Sequence, residues 1–124
     1  MSVKPATYKL SENPFLVKSL DISTGHLTEK DNSLLEEASK DPPPGLASAN
    51  PVIAYSTYTE GYFVYCPDKE EGILDTMEGE YGYLSYGYST QFVAILKRAQ
   101  ELGCKYVQFD CDGISYEDLE YYEW

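Results

Sequence analysis

The chain has 124 residues, of which 43% are hydrophobic, and it carries a net charge of −12. This length and composition predict one folded domain and exclude a compositionally disordered chain. The negative charge disfavours direct binding to nucleic acid or to anionic lipid, and it favours a basic protein partner.

Two further features predict where the protein works. No run of about 18 apolar residues occurs, and the N-terminus lacks the apolar centre of a signal peptide. The three cysteines, Cys66, Cys104 and Cys111, are an odd number without paired spacing, which is typical of a reducing compartment. We therefore expect a cytoplasmic protein that does not enter the membrane, with cysteines that act as small, mostly buried hydrophobes.

The N-terminal part of the chain predicts an arm, a strand and a helix. Residues 1–13 are expected to be a flexible arm, followed by a single domain over residues 14–124. Residues 15–22 predict a short strand. Thr28 suits a helix N-cap, and Asp31 three residues later completes an approximate capping box. A proline-rich stretch then ends the helix.

The middle of the chain predicts a hairpin and an insertion. Residues 52–59 and 62–66 are rich in β-branched and aromatic side chains, which favours two strands. Glu60-Gly61 between them predicts a two-residue turn, because glycine readily adopts positive φ. Residues 67–88, rich in acids, glycines and tyrosines, have no clear period and are expected to form an inserted acidic segment.

The C-terminal part predicts a helix and a strand. Ser89 suits an N-cap and Gly103 a C-terminal cap. The stripe expected to face the core consists of Phe92, Ile95, Leu96, Ala99 and Leu102. Residues 105–111 alternate as a strand with Val107, Phe109 and Cys111 on one face, and residues 120–124 are expected to close the sheet as a short strand.

The resulting order, β-α-β-β-α-β, is that of ferredoxin-like split βαβ folds. We therefore predict an α+β fold with two helices on one face of an antiparallel sheet and a short C-terminal strand.

One histidine, His26, stands between the first strand and the first helix. With Asp110 or Asp112 it could serve a small hydrolase or transferase, in which Ser23 or Thr24 would be the nucleophile. The alternative is a structural histidine that hydrogen-bonds the backbone, and the sequence favours this second interpretation.

A metal or other cofactor is not predicted. Asp110 and Asp112 could share a cation, but the calcium-loop pattern would require a ligand at Gln108 and a glutamate at Leu119. The dispersed cysteines and His26 lack the paired spacing of a zinc site.

Acids and tyrosines concentrate in the same half of the chain. Residues 1–59 carry seven acids and five bases, whereas residues 60–124 carry fourteen acids and four bases, and twelve of the thirteen tyrosines lie from position 55 onward. Tyrosine is enriched at interfaces. The predicted partner-binding residues are Glu60, Glu70, Glu71, Asp75, Glu78, Glu80, Tyr81, Tyr83, Tyr86, Tyr88, Asp110, Asp112, Glu117 and Asp118. A solvated acidic face without a partner remains the alternative.

Several local motifs resemble one uncharacterised bacterial family of small proteins carried on plasmids, phages and integrated elements. They are Ser23-Thr24-Gly25-His26-Leu27-Thr28, Glu60-Gly61-Tyr62-Phe63-Val64-Tyr65, Leu102-Gly103-Cys104 and the terminal acidic segment ending in Trp124. The resemblance implies a mobile-element setting and transfers no catalytic residue. In that setting, small acidic proteins are often counter-defence factors of the anti-CRISPR or anti-restriction type.

The sequence therefore predicts a non-enzymatic acidic binding protein that engages a basic, nucleic-acid-binding protein, such as a nuclease or CRISPR complex, and that could imitate DNA. One alternative is the hydrolase or transferase described above. Another is an accessory protein of a mobile element with a housekeeping or structural role. The oligomeric state is left open.

Overall fold

The fold is seen in a computed structural model that describes residues 7, 9–12, 16–40, 50–57, 61–67 and 82–123. These residues form four strands, three α-helices and one 3₁₀ turn. In chain order they are β1 (Lys18–Ser23), the 3₁₀ turn (Thr24–His26), α1 (Glu29–Ala38), β2 (Ala54–Ser56), β3 (Tyr62–Tyr65), α2 (Tyr83–Tyr86), α3 (Thr90–Glu101) and β4 (Cys104–Asp110). Within these ranges, every helix is too short or too polar to span a bilayer.

The sheet is mixed, with strand order β1-β4-β3-β2. β1 pairs in parallel with β4, whereas β4 with β3 and β3 with β2 are antiparallel. The α+β class is confirmed, but the antiparallel ferredoxin-like arrangement is wrong. Only Leu20 and Ile22 of β1 face the core, so this mostly polar strand suits an edge, while β4 contributes Val107 and Phe109 from the interior.

Helix α1 begins as its sequence predicts. The Thr28 side chain accepts a hydrogen bond from the Asp31 N–H, and the Asp31 carboxylate accepts one from the Thr28 N–H. This reciprocal pair satisfies two backbone donors that a helix start leaves unpaired. The predicted capping box is therefore confirmed.

The β2–β3 hairpin is present, but its turn differs from the prediction. Gly61 belongs to the ladder, because its carbonyl accepts a hydrogen bond from the Thr57 N–H. The connection therefore lies in residues 58–60, outside the described part of the chain. Gly61 does not have positive φ; a Cβ at this position would collide with the Phe109 carbonyl oxygen. Close approach of β4, rather than turn geometry, requires glycine here.

Helix α3 packs its apolar face against the sheet, as predicted, with one exception. Four members of the predicted stripe are buried, but Leu102 is 40% exposed, and Val93 is buried in its place. Ser89 caps the start by accepting from the Phe92 N–H. Gly103 follows the helix with φ +76°, so the predicted C-terminal glycine is confirmed.

Two tyrosines expected on the surface lie in the core. Tyr83 and Tyr88 are 2% and 3% exposed, and both rings lie next to the Phe92 ring. Residues 82–88 of the predicted acidic insertion are thus part of the folded domain. Residues 68–81 of that segment lie outside the described ranges, as does most of the predicted N-terminal arm, so the domain division stays a prediction.

The chain after β4 differs from the predicted closing strand. None of residues 120–123 forms a strand. Cys66 is buried, Cys104 half-buried and Cys111 exposed, so the expectation of buried cysteines fails for Cys111, which lies just beyond the end of β4.

The buried tyrosines predict a specific response to alkaline pH. Desolvation, followed by the nearby Cys66 and Tyr65, raises the pKa of Tyr83 to about 12, and desolvation also raises the pKa of Tyr88. When folding raises the pKa of a tyrosine, the protonated ring contributes to the stability of the folded state. This contribution is complete below the unfolded-state pKa of about 10 and is lost as pH rises through the folded-state pKa. We expect cooperative unfolding between about pH 10 and 12, with these two rings ionising only as the fold is lost.

Tyrosinate absorbance and near-ultraviolet circular dichroism, recorded on the same samples, check this expectation. The part of the absorbance change that belongs to Tyr83 and Tyr88 should coincide with the loss of the dichroism. Tyr83→Phe removes one coupled ionisation and should move unfolding to higher pH. Ionisation of all thirteen tyrosines in a single step, with the fold intact, would contradict the prediction.

Candidate functional site

The segment after β4 wraps back over the start of α1 and α3, and we call residues 111–123 the C-terminal strap. His26 holds it from the 3₁₀ turn. The ring Nε2 of His26 accepts a hydrogen bond from the Tyr116 N–H at 2.9 Å, and Nδ1 lies 2.7 Å from the Glu120 carbonyl oxygen. His26 is only 1% exposed. Its ring also meets the Tyr121 ring edge-on, with centroids 5.7 Å apart.

These partners fix the protonation of His26. A backbone N–H can only donate, so Nε2 must be unprotonated, and a carbonyl oxygen can only accept, so Nδ1 must carry the proton. The imidazole is therefore neutral, and both nitrogens are engaged by backbone groups of the strap. Neither nitrogen remains to take a proton from a substrate, and the structural interpretation of His26 is the one that the contacts support.

Further hydrogen bonds fasten the strap along its length. The Gln91 amide donates to the carbonyl oxygens of His26 and Glu120 and accepts from the Glu120 N–H. The Tyr122 N–H donates to the Gly25 carbonyl oxygen at 2.7 Å. A Cβ at Gly25 would overlap the Tyr121 ring. The strap is therefore held by hydrogen bonds to the 3₁₀ turn and to Gln91 at the start of α3.

Two more contacts join the strap to the edge strand. The Ser23 N–H donates to the Ile114 carbonyl oxygen, and the Tyr116 hydroxyl donates to the Asp21 carbonyl oxygen at 2.8 Å. These contacts satisfy part of the backbone that β1 leaves unpaired at the outer side of the sheet.

Asp31 links the starts of the two long helices beneath this region. Its carboxylate accepts from the Thr28 N–H, from the Ser89 N–H at 2.8 Å and from the Ser89 hydroxyl at 2.6 Å. The residue is 0% exposed. The positive ends of the α1 and α3 dipoles and three donors stabilise this buried charge. Asp31 therefore positions the surface on which the strap lies.

The strap itself is strongly acidic. No lysine or arginine lies within it. Its five carboxylates are all exposed and belong to Asp112, Glu117, Asp118, Glu120 and Glu123. The ion pairs among described residues join Lys9 to Glu12, Lys40 to Glu36 and Arg98 to Glu101, and none of them reaches the strap. A segment held by His26 and Gln91 thus presents five carboxylates that form no ion pair with another described residue.

The face of the sheet opposite the helices is a second unusual surface. The residues that point away from the core include Tyr55 on β2, Phe63 and Tyr65 on β3, and Tyr106 on β4. Phe63 and Tyr65 each meet the Tyr106 ring at a steep angle, with centroids 6.4 and 6.2 Å apart. Tyr55 is 59% exposed and Phe63 36%. We call these four rings the aromatic platform.

Asp110 and Asp112 meet at the turn that follows β4. The Asp110 carboxylate accepts from the Asp112 N–H, and one ligand atom from each of Asp110, Cys111 and Asp112 lies within 4.8 Å of the others. Such a turn is a common use of aspartate, because its side chain bonds backbone two residues on. Desolvation, followed by the neighbouring carboxylates, raises the pKa of the Cys111 thiol.

Two grooves border these surfaces. One of about 480 Å³ lies between β1, α3 and the strap and is mostly apolar, lined in part by Leu20, Ile95 and Leu119. The other, of about 560 Å³, includes Tyr62 and Cys111. His26 lines neither groove. Asp110 and Asp112 also line neither groove, so neither of these two grooves brings His26 together with one of the aspartates.

The predicted partner-binding residues fall into three groups. Those outside the described ranges are Glu60, Glu70, Glu71, Asp75, Glu78, Glu80 and Tyr81. Tyr83 and Tyr88 are buried in the core, and Tyr86 donates its hydroxyl to the Glu37 carboxylate. In the third group, Asp110 is half-buried at the end of β4, and Asp112, Glu117 and Asp118 are exposed on the strap.

The sequence interpretation missed Gln91 and the long-range role of Asp31. Gln91 lies in the first turn of α3 and bonds Glu120, 29 positions away, and His26, 65 positions away. Nothing in its local sequence distinguishes it from a solvated glutamine. The aromatic platform could have been found from alternation, since Tyr55, Phe63 and Tyr65 all fall on the outward positions of their strands.

A family model described as the C-terminal domain of a family of unknown function, DUF5983, matches residues 19–124. Comparison with curated proteins and with solved structures gave no match. The predicted membership of an uncharacterised family is confirmed, while the mobile-element setting stays a prediction. The match covers the sheet, the helices and the strap, and the chain therefore belongs to the DUF5983 family.

Proposed function

We propose that this chain is a non-catalytic binding protein whose acidic strap engages a basic surface of a protein partner. The observation that carries the proposal is the way the strap is held. His26 and Gln91 use buried or half-buried polar groups to fix a segment with five exposed carboxylates and no cation. Fixed charges attract a partner at less entropic cost than charges on a loose tail.

The charge of the whole chain supports the same function. A net charge of −12 favours rapid encounter with a basic partner and repels nucleic acid. A counter-defence role against a nuclease or CRISPR complex, with or without imitation of DNA, is one form that such binding would take, and it stays a prediction. The engaged nitrogens of His26 argue against the hydrolase or transferase alternative.

A pair of charge-matched variants tests the proposal. The strap variant carries Asp112→Asn, Glu117→Gln and Asp118→Asn, and the control carries Glu29→Gln, Glu36→Gln and Glu37→Gln on α1. Both remove three exposed negative charges, and in the control the glutamines at positions 36 and 37 can still accept hydrogen bonds from Lys40 and Tyr86. We expect the strap variant to lose partner binding about tenfold or more, and the control to lose much less.

Affinity capture from a bacterial lysate, quantified by mass spectrometry at two salt concentrations, identifies the partner for this comparison. The captured protein should be basic, and its binding should weaken with salt, because exposed charges are screened beyond about 8 Å at physiological ionic strength. Competition by duplex DNA would favour the DNA-imitating form. Equal capture by the strap variant and the control would overturn the proposal and favour the housekeeping alternative.

A further inference from the structure

The aromatic platform lies on the sheet face opposite the helices, and two carboxylates lie on the same face. In register across the sheet, Tyr55 pairs with Phe63, Phe63 with Gln108, and Gln108 with Asp21 of β1. Neighbouring strands are about 4.8 Å apart, so this row runs from exposed rings to a carboxylate. Asp110, on the same face of β4 two residues beyond Gln108, adds a second carboxylate.

One ring of the platform, that of Tyr106, already has a cation of the chain itself beside it. The Lys105 Nζ lies 5.8 Å from the centroid of the Tyr106 ring, which is within the range of a cation–π contact. The two carboxylates exclude the phosphates that would accompany nucleic acid bases stacked on such rings. A second copy of the chain would bring the same negative charge to the face.

We propose that the aromatic platform binds arginine side chains of the partner. This inference rests on the proposed function, because it assumes that the partner surface is basic. Guanidinium groups stack on aromatic faces and pair with carboxylates in a planar geometry that lysine cannot reproduce. The strap would attract any basic surface, and the platform would select one rich in arginine.

Binding of two synthetic probes separates these roles. An oligo-arginine and an oligo-lysine peptide of equal length carry the same charge, and each is titrated into isotopically labelled protein while backbone and aromatic resonances are followed by NMR. We expect oligo-arginine to bind about fivefold to tenfold more tightly. Its largest shift changes should fall on Tyr55, Phe63, Tyr65 and Tyr106.

Variants assign the preference to the rings. Tyr55→Ser and Phe63→Ser should bring the arginine-to-lysine affinity ratio close to one. Leu84→Ser is the control, because Leu84 is exposed to a similar extent, 39%, but lies on α2 away from this face. Tyr55→Ser alone carries the test if Phe63→Ser does not fold, since the Tyr55 ring is mostly exposed.

The outcomes also separate this inference from the proposed function. If both peptides bind equally while the strap variant weakens both, the platform inference is overturned and the proposed function stands. If neither peptide binds, both fail. The inference would also be overturned if an unlabelled single-stranded oligonucleotide shifted the platform resonances. Broadening of these resonances with rising protein concentration, caused by self-association, would overturn it as well.

Discussion

Replacement of Asp31 by alanine should lower the free energy of unfolding by about 3–5 kcal/mol. The substitution leaves the Thr28 N–H, the Ser89 N–H and the Ser89 hydroxyl without their acceptor in a buried site. Each buried unsatisfied donor costs about 1–3 kcal/mol, and partial entry of water reduces the sum. Urea-induced unfolding, followed by circular dichroism, measures the loss.

Glu29→Ala is the matched control for Asp31. Glu29 lies in the same first turn of α1 and is exposed, so its removal deletes the same charge near the same dipole without leaving a buried group unpaired. We expect a loss of at most about 1 kcal/mol. Similar losses for the two variants would show that Asp31 acts only through its charge and does not join the helices.

His26→Leu should cost about 2–4 kcal/mol and free the strap. The leucine keeps apolar volume but removes both hydrogen bonds. The Tyr116 N–H loses its acceptor, and the Glu120 carbonyl keeps only the Gln91 amide as a donor. Amide hydrogen exchange measures the local effect. The amides of Tyr116 and Tyr122 should exchange at least about tenfold faster, beyond the change that lower global stability causes at Val107 in β4.

His26→Gln provides the comparison, since its amide can keep one of the two hydrogen bonds and should have a smaller effect on both measurements. Normal stability and unchanged strap exchange in His26→Leu would contradict the structural role. If that same variant lost an enzymatic turnover, the hydrolase or transferase hypothesis would replace the one proposed above.

Features set by near neighbours in sequence were predictable. The capping box of Thr28 and Asp31 spans four residues, and Gly103 follows a clear apolar stripe, so short-range rules locate both helix ends. The hairpin strands were predictable from composition. The turn of the hairpin was not predictable, because Gly61 is required by the close approach of β4, which no local pattern reveals.

Features set by long-range contacts were not predictable. The position of β4 between β1 and β3 depends on pairings that span most of the chain. The sequence favours a structural His26, but its partners are backbone groups 90 and 94 residues away, and backbone groups carry no sequence signature. The sequence places Tyr83 and Tyr88 on the surface because they belong to the acidic segment 67–88. Their burial depends on long-range packing, which that local composition does not reveal.

The place of β4 in the sheet has a consequence for biosynthesis. Among the described strands, β4 leaves the ribosome last, yet it separates β1 from β3. Until residues 104–110 emerge, the β2–β3 hairpin is the only native pairing that the described strands can form. Pairings of such long sequence separation form slowly. During that interval, the edges of β1 and β3 that later meet β4 are open to pairing with other nascent chains.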